Sequence, residues 1–313
     1  MSERERFRKI CVVGPGAIGC LFASLLRAGG ASVTLLDKHP DRAKFIAKRG
    51  VTITGIGGTR RIKIPVTTDA ASIGRCGLVL IAVKSYDTEA AAKSALPLLG
   101  SQTLFLTLQN GLGNDQKIAS IVGEENVLAG TTAQGANLVS PGRVVHAGVG
   151  DTWVGELSGK LSVRASSVAS LLSSCGIPAK ASKNIESLIW GKLVINAGIN
   201  PLTVVLQCRN GQLLQKRQSR ELLHLLVEEA ACVARRKGIR LPYRSASAQA
   251  EKVASLTGEN ISSMLQDVRR GKHTEIDFIN GAVVREGKKC SVPTPFNQFA
   301  LLLVKALERE GKR

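Results

Sequence analysis

The stretch that most constrains this chain is Ile10-Cys11-Val12-Val13-Gly14-Pro15-Gly16-Ala17-Ile18-Gly19. A short apolar strand runs into a glycine-rich turn, and the spacing of Ile18, Leu21, Phe22, Leu25 and Leu26 then predicts a helix over Ala17 to Ala28. A second strand, Ser32 to Leu36, follows and ends in Asp37. Glycine-rich turns are common, and one alone says little. Strand, turn, helix, strand and terminal acid in this order describe a βαβ unit that binds a dinucleotide. Gly14 allows the tight turn, Gly16 lets a diphosphate approach the backbone, and Gly19 lets the helix pack on the strand. The amides of Ala17 and Ile18 then face the phosphates, with the helix dipole behind them.

The alternation continues. A helix to about Arg49 precedes a β-rich stretch, Val51 to Thr68, with Gly57-Gly58 as its hairpin turn. Leu78 to Val83 and Thr103 to Leu108 are apolar runs of the kind buried on both faces of a parallel sheet. Lys84 to Thr88 opens a helix to about Leu99. Helix Asn114 to Val122 and strand Val127 to Thr132 follow, and Gly135 to Gly155 is a β excursion at the sheet edge. Strands alternating with helices predict an α/β fold, a Rossmann-type doubly wound parallel sheet. From about Asn184 the pattern turns helical: Ile185 to Ile199, Ser219 to Lys237, Ser245 to Leu256, Ser262 to Arg270, Glu275 to Val284 and Asn297 to Leu307. Pro201 should end or kink the first of these at Asn200. At 313 residues the chain suggests two domains, a dinucleotide-binding one over 1–183 and an all-helical substrate domain over 184–313.

Composition narrows the class. With 44% hydrophobic residues the chain can bury sizeable cores. No uninterrupted apolar run reaches membrane-span length, and Met1 to Lys9 is charged, so neither anchor nor signal peptide is expected and the cytoplasm is the expected location. Seven cysteines without a C-x-x-C pair read as reduced core thiols, and no metal site is expected. The net charge of +19 raises a nucleic-acid partner, but the Lys and Arg residues are dispersed and aromatic residues make up only 4%. A basic protein holding an anionic dinucleotide and an anionic substrate accounts for the sign as well.

A second constellation lies in the helical half. Around Trp190 to Pro201 the helix is apolar almost all round, as in a buried helix. Lys192, Asn196 and Asn200, spaced i, i+4, i+8, form one polar stripe on it. Burying an ammonium and two amides without partners is costly, so the stripe faces water, a polar seam or a ligand. Glu275 and Asp277 stand at i and i+2, on different sides of a helix, and are no matched acid–base pair.

These residues resemble the ketopantoate reductase family (2-dehydropantoate 2-reductases) of the 6-phosphogluconate-dehydrogenase-like superfamily. The resemblance covers nearly the whole chain. Its carriers are Gly14-x-Gly16-x-x-Gly19, Val83-Lys84, Gln109-Asn110-Gly111, Trp190-x-Lys192-Leu193, Asn196-x-x-x-Asn200-Pro201-Leu202-Thr203, Asn260-x-Ser262-Ser263-Met264-Leu265-Gln266-Asp267, Thr274-Glu275-Ile276-Asp277-x-x-Asn280-Gly281 and Pro293-Thr294-Pro295. It implies reduction of 2-dehydropantoate to pantoate, a step of pantothenate and coenzyme A formation. Lys192 is then the acid, and Glu275 bonds the forming hydroxyl. Asn110, Asn196, Asn200, Asn260 and Ser263 line the substrate, with Asn110 and Lys84 on the cofactor side. The family commonly carries a basic residue after the second strand for the 2′-phosphate of NADP. Here Asp37 comes first, an acid that suits the ribose diol of NAD(H), while Lys38 and Arg42 favour NADP(H). NADP(H) is favoured on the resemblance. Three alternatives stay open: a reductase of the same fold acting on another 2-oxo or 3-oxo acid, a nucleotide-binding sensor without turnover, and a basic nucleic-acid-binding protein, for which salt-dependent DNA retention is the test. The long C-terminal helices are of a kind that supports a homodimer.

Overall fold

The computed structural model describes residues 7–308. The charged start of the chain, up to residue 6, lies outside them. Two compact units divide the chain: residues 1–109 with 113–185, and residues 110–112 with 186–313.

The first unit opens with β1 (Lys9–Val13), α1 (Ala17–Ala28), β2 (Ser32–Leu36) and α2 (Pro40–Arg49). Then come β3 (Val51–Gly55), β4 (Arg60–Ile62), β5 (Val66–Thr67), α3 (Ala70–Ile73) and β6 (Leu78–Ile81). α4 (Thr88–Ser94), β7 (Leu104–Thr107), α5 (Asn114–Val122) and β8 (Val127–Thr132) lead to β9 (Gly135–Ser140), β10 (Arg143–Gly148), β11 (Thr152–Gly155), α6 (Val163–Ser174) and β12 (Ala179–Ala181). The main sheet runs β12-β11-β8-β7-β6-β1-β2-β5. From β5 through β8 the strands are parallel, with β1 paired to both β2 and β6. Counted along the chain, that is the Rossmann order, in which the direction of winding reverses between β1 and β6. Ligands of such sheets bind beyond the carboxyl ends of the strands at that reversal. Completely buried Ile10, Val12, Leu35, Leu78, Leu80 and Leu106 form the core beneath it.

Several expectations change here. β9 and β10 do not extend the main sheet. They form a second sheet, β4-β3-β10-β9, with the hairpin that turns at Gly57-Gly58. Only β11 joins the main sheet, antiparallel to β8. The helix expected to run to Leu99 is broken into a 3-10 turn, α4 and a second 3-10 turn at Leu96–Leu98, where Pro97 cannot continue an α-helix. α6 and β12 carried no strong periodic signal.

The second unit is helical: α7 (Ile185–Leu206, whose first residue counts with the first unit), α8 (Arg217–Arg236), α9 (Ala246–Leu256), α10 (Ser263–Arg269), α11 (Asn280–Lys289) and α12 (Pro295–Leu307). α7 is its core. A Cβ at Gly198 would meet Val227 and Leu223 of α8 at 2.6 and 2.7 Å, so a glycine sets how closely the two helices pack. Of the two outcomes expected at Pro201, an end or a kink, the helix does not end: α7 runs on for another turn. By length and composition it also passes as a membrane span, since an 18-residue window averages a mean hydropathy of 1.4. No uninterrupted apolar run shows this, because Lys192 and the asparagines break it, yet the remaining residues keep the mean high. Within the protein, 72% of that window is buried. Cys11, Cys20, Cys76 and Cys175 are buried free thiols, whereas Cys232 on α8 is exposed.

Candidate functional site

In the first unit the glycine turn is built as its spacing predicts. Gly14 has φ +96° and lies against the loop after β6, where a Cβ would meet Val83 Cγ1 at 2.6 Å. A Cβ at Gly19 would meet the Gly14 carbonyl oxygen at 2.0 Å, so only glycine lets α1 start this close to β1. Gly16 is different. Its φ is −78°, and a Cβ there would find only the Ala82 carbonyl, 3.9 Å away. Nothing in the protein requires a glycine at that point. Gly16 is also the N-cap of α1 and no side chain caps the helix, so the first-turn amides of Ala17 and Ile18 lack the usual internal acceptor. Room at Gly16 beside an uncapped helix start fits a dinucleotide diphosphate.

At the end of β2 the Asp37 side chain is fully buried and already engaged. Arg42 Nε and Nη2 donate to its two oxygens at 2.6 and 2.5 Å, and the His39 amide donates at 3.0 Å. Lys38 is exposed and reaches Asp87 in the 3-10 turn Ser85–Asp87 at 2.9 Å. Exposed pairs of this kind are weak, on the order of 0–1 kcal/mol.

Half-buried Lys84 opens that same turn. A buried polar network holds the segment. Gln109 Nε2 donates to the Val83 carbonyl and to Thr88 Oγ1, each at 2.8 Å, and Thr88 donates to Asn114 Oδ1 at 2.9 Å. Asn114 Nδ2 in turn reaches Ser85 Oγ at 3.1 Å. Gln109, Thr88 and Asn114 were not singled out from the sequence, although Gln109 stood beside Asn110 in a quoted motif.

In the second unit the stripe on α7 is real. Lys192 and Asn196 are half-buried and Asn200 is buried. Glu275, also buried, interacts electrostatically with Lys192. Burial pushes the Lys192 ammonium down to about 8, and the Glu275 carboxylate opposes that fall. Glu275 does not stand inside a helix as expected. It precedes a 3-10 turn, Ile276–Phe278, and α11 starts only at Asn280 after Ile279 takes up φ −104°, ψ −88°. The turn separates the two carboxylates. Asp277 is half-exposed and pairs with Lys305 at 2.7 Å.

Two further segments join this face. The Leu112 amide donates to the Phe278 carbonyl at 3.0 Å, and Gly111, at φ +84°, leaves no room for a Cβ beside Phe278. Asn110, half-buried, lies two residues before Leu112 and counts with the second unit. On the other side Ser262 caps α10, accepting from the Leu265 amide at 3.1 Å, and shares a 2.6 Å bond with Thr203. Thr203 itself donates to the Asn200 carbonyl at 2.8 Å. Ser263 is exposed at the first turn of α10, and half-buried Asn260 is held through its carbonyl by the Asn210 amide at 3.0 Å. Lys192, Asn196, Asn200, Asn260, Ser263, Glu275 and Asn110 therefore belong to one unit, while Gly14, Gly16, Ala17, Ile18, Gly19, Asp37, Lys38, Arg42 and Lys84 belong to the other.

A doubly wound sheet with a glycine turn and an uncapped helix start at its reversal, joined to a helical unit, is the architecture of a nicotinamide-dependent oxidoreductase, and relatives of this chain bear out that class. Residues 10–159 match the family model described as ketopantoate reductase PanE/ApbA, and residues 184–308 match its C-terminal counterpart. The chain belongs to the ketopantoate reductase family. It is 35% identical over 97% of its length to the 2-dehydropantoate 2-reductase of Archaeoglobus fulgidus, covering 99% of that protein. To the 2-dehydropantoate 2-reductase of Halobacterium salinarum it is 34% identical, with 97% and 100% covered. Among solved structures, a ternary complex of D-mandelate dehydrogenase with NADH and anilino(oxo)acetate superposes with a TM-score of 0.91 at 30% identity, covering 96% of this chain and 98% of that one. The 2-dehydropantoate 2-reductase of Geobacter metallireducens gives 0.90 at 26%, covering 95% and 99%.

Proposed function

We propose that the protein reduces 2-dehydropantoate to pantoate with NADPH, Lys192 acting as the general acid. The carrying observation is the ammonium of Lys192, held with the Glu275 carboxylate in a setting that lowers its proton affinity to about 8. A nicotinamide, when bound, would supply the hydride that a ketone carbon accepts, leaving negative charge on the ketone oxygen. Lys192, mostly protonated at neutral pH yet readier to release its proton than a solvated lysine, stabilises that charge and gives the proton up. Glu275 keeps the ammonium charged and accepts a hydrogen bond from the new hydroxyl. Asn110, Asn196, Asn200, Asn260 and Ser263 offer the directional donors and acceptors that a carboxylate bearing hydroxyl groups needs. Gly16 and the amides after it receive the diphosphate. Lys38 and Arg42 receive the 2′-phosphate, since the Asp37 side chain is buried and already bonded while Lys38 is exposed.

A second reading, NADH-linked reduction of another 2-oxo acid, is favoured by Asp37 itself and by the likeness to the D-mandelate dehydrogenase solved with NADH. A turnover screen decides: purified protein, a panel of 2-oxo acids, NADPH and NADH. Preference for 2-dehydropantoate with NADPH supports the first reading. Faster turnover of an aryl 2-oxo acid with NADH replaces it with the second. A cytoplasmic homodimer remains part of the proposal, its assembly checked by light scattering.

A further inference from the structure

Pro201 sits inside α7, and a proline has no amide to donate to the carbonyl four residues earlier. That carbonyl belongs to Ala197, between Asn196 and Asn200, in the middle of the polar stripe. It is not left bare. Asn280, completely buried as the first residue of α11, donates from Nδ2 to the Ala197 carbonyl at 2.9 Å. The same Nδ2 donates to Asn297 Oδ1 at 2.9 Å. Asn297 then donates to the Leu226 carbonyl at 3.0 Å and to Glu229 at 2.8 Å. Glu229 closes the chain by accepting the Phe296 and Asn297 amides at the start of α12, each at 2.9 Å. The Oδ1 of Asn280 has no partner among the described residues, so the carboxamide is kept there for its donors.

We propose that Asn280 is a positioning residue for the active face. Its side chain supplies the hydrogen bond that Pro201 withholds. It thereby pins the middle of the Lys192–Asn196–Asn200 stripe to the segment that carries Glu275, five residues upstream. Helices bend at proline, where the ladder is interrupted. A bend at Ala197 would swing Lys192 relative to Asn200 and change its separation from Glu275. Asn280 locks one of these geometries, and the bonds beyond it anchor the lock to α8 and α12. The inference rests on Lys192 and Glu275 being the reacting pair.

The test is a double-mutant cycle, because Pro201→Ala restores the backbone donor and makes the carboxamide redundant. Steady-state reduction is followed across pH for wild type, Asn280→Ala, Pro201→Ala and the double variant, with melting curves and nucleotide titrations of each. Asn280→Ala should lose roughly tenfold to a hundredfold in kcat/KM, the scale of a small misplacement of reacting groups. It should also shift the upper pH limb while NADPH affinity holds. Pro201→Ala alone should stay near wild type, and the double variant should recover most of the lost rate. If Asn280→Ala does not fold, Asn280→Ser, smaller and still polar, takes its place in the cycle. A folded Asn280 variant with wild-type kcat/KM and an unmoved pH limb overturns the proposal. So does a double variant that recovers melting temperature and no rate. Wild-type protein that reduces no 2-oxo acid with either nucleotide overturns the functional reading as well, and turnover without coupling in the cycle overturns this inference alone.

Discussion

Arg42 closes a two-pronged bond on Asp37, holding both oxygens of the acid that ends β2. The pair couples the two residues whose charges pull cofactor choice in opposite directions. Arg42→Ala removes a cation proposed to face the 2′-phosphate and at the same time releases the carboxylate. NADPH should therefore weaken while NADH holds or improves. Lys38→Ala, which breaks only an exposed pair, should cost NADPH about 1–2 kcal/mol more than NADH. Fluorescence titration with both nucleotides checks this. Equal losses for the two would give Asp37 control and make NAD(H) the cofactor.

Lys192→Ala should lower single-turnover hydride transfer by roughly a hundredfold or more, with nucleotide binding intact. Lys192→Arg should not restore it, because a guanidinium does not give up its proton readily. Melting should not suffer. The folded-state value of about 8 lies below that of an unfolded lysine, so between the two the unfolded chain holds more protons and stability rises with pH. At pH 7 the buried charge is thus a net cost, and Lys192→Met should melt at or above the wild-type temperature. A sharp loss of stability in both variants would make Lys192 a structural ion-pair residue.

The pH profile of reduction follows from the same group. The rate should be level near neutrality and fall as pH rises through about 8, when the ammonium loses its proton. Glu275 raises the proton affinity of Lys192, so Glu275→Gln should move this limb to lower pH as well as lowering turnover. Asp277→Asn breaks only the pair with Lys305 and should leave the profile where it was. A limb that ignores Glu275→Gln detaches the carboxylate from the acid.

Gly16 and Gly19 should fail in different ways. Gly16→Val fills space that the protein itself leaves open, so the fold should melt normally while calorimetry finds no dinucleotide binding. Gly19→Val drives a side chain onto the Gly14 carbonyl and should lower the melting temperature outright. Undiminished NADPH affinity in folded Gly16→Val removes the diphosphate from this turn.

What could be read in advance was whatever local pattern determines. Apolar runs such as Leu78 to Ile81 announce buried parallel strands, and the i, i+4, i+8 stripe of Lys192, Asn196 and Asn200 is geometry written directly in spacing. Partnerships across the chain were hidden. β10 lies beside β3, some ninety residues earlier, and nothing within Arg143–Gly148 names that neighbour. Pro201 reads locally as an end or a kink, and the carboxamide from α11 that bonds the Ala197 carbonyl beside it comes from about eighty residues further along the chain. Asp37 was visible as an acid, but Arg42, a turn into the next helix, decides what that acid has left to offer. Glu275 was legible through its motif, whereas its exit from the helix depends on contacts at Phe278 and Asn280 that no periodicity encodes.

The hydropathy of α7 has a consequence during synthesis. Its last residue, Leu206, is made before any of α8, whose Leu223 and Val227 will cover Gly198. Until those residues cover it, α7 is, by length and composition, long and apolar enough to cross a membrane. Lys192 lies within it, and a lysine near the centre of an inserting helix costs about 2.5–3.5 kcal/mol, with Asn196 and Asn200 adding to the penalty on the same side. The side chains proposed to handle substrate are thus also the ones that make this apolar helix a poor candidate for insertion.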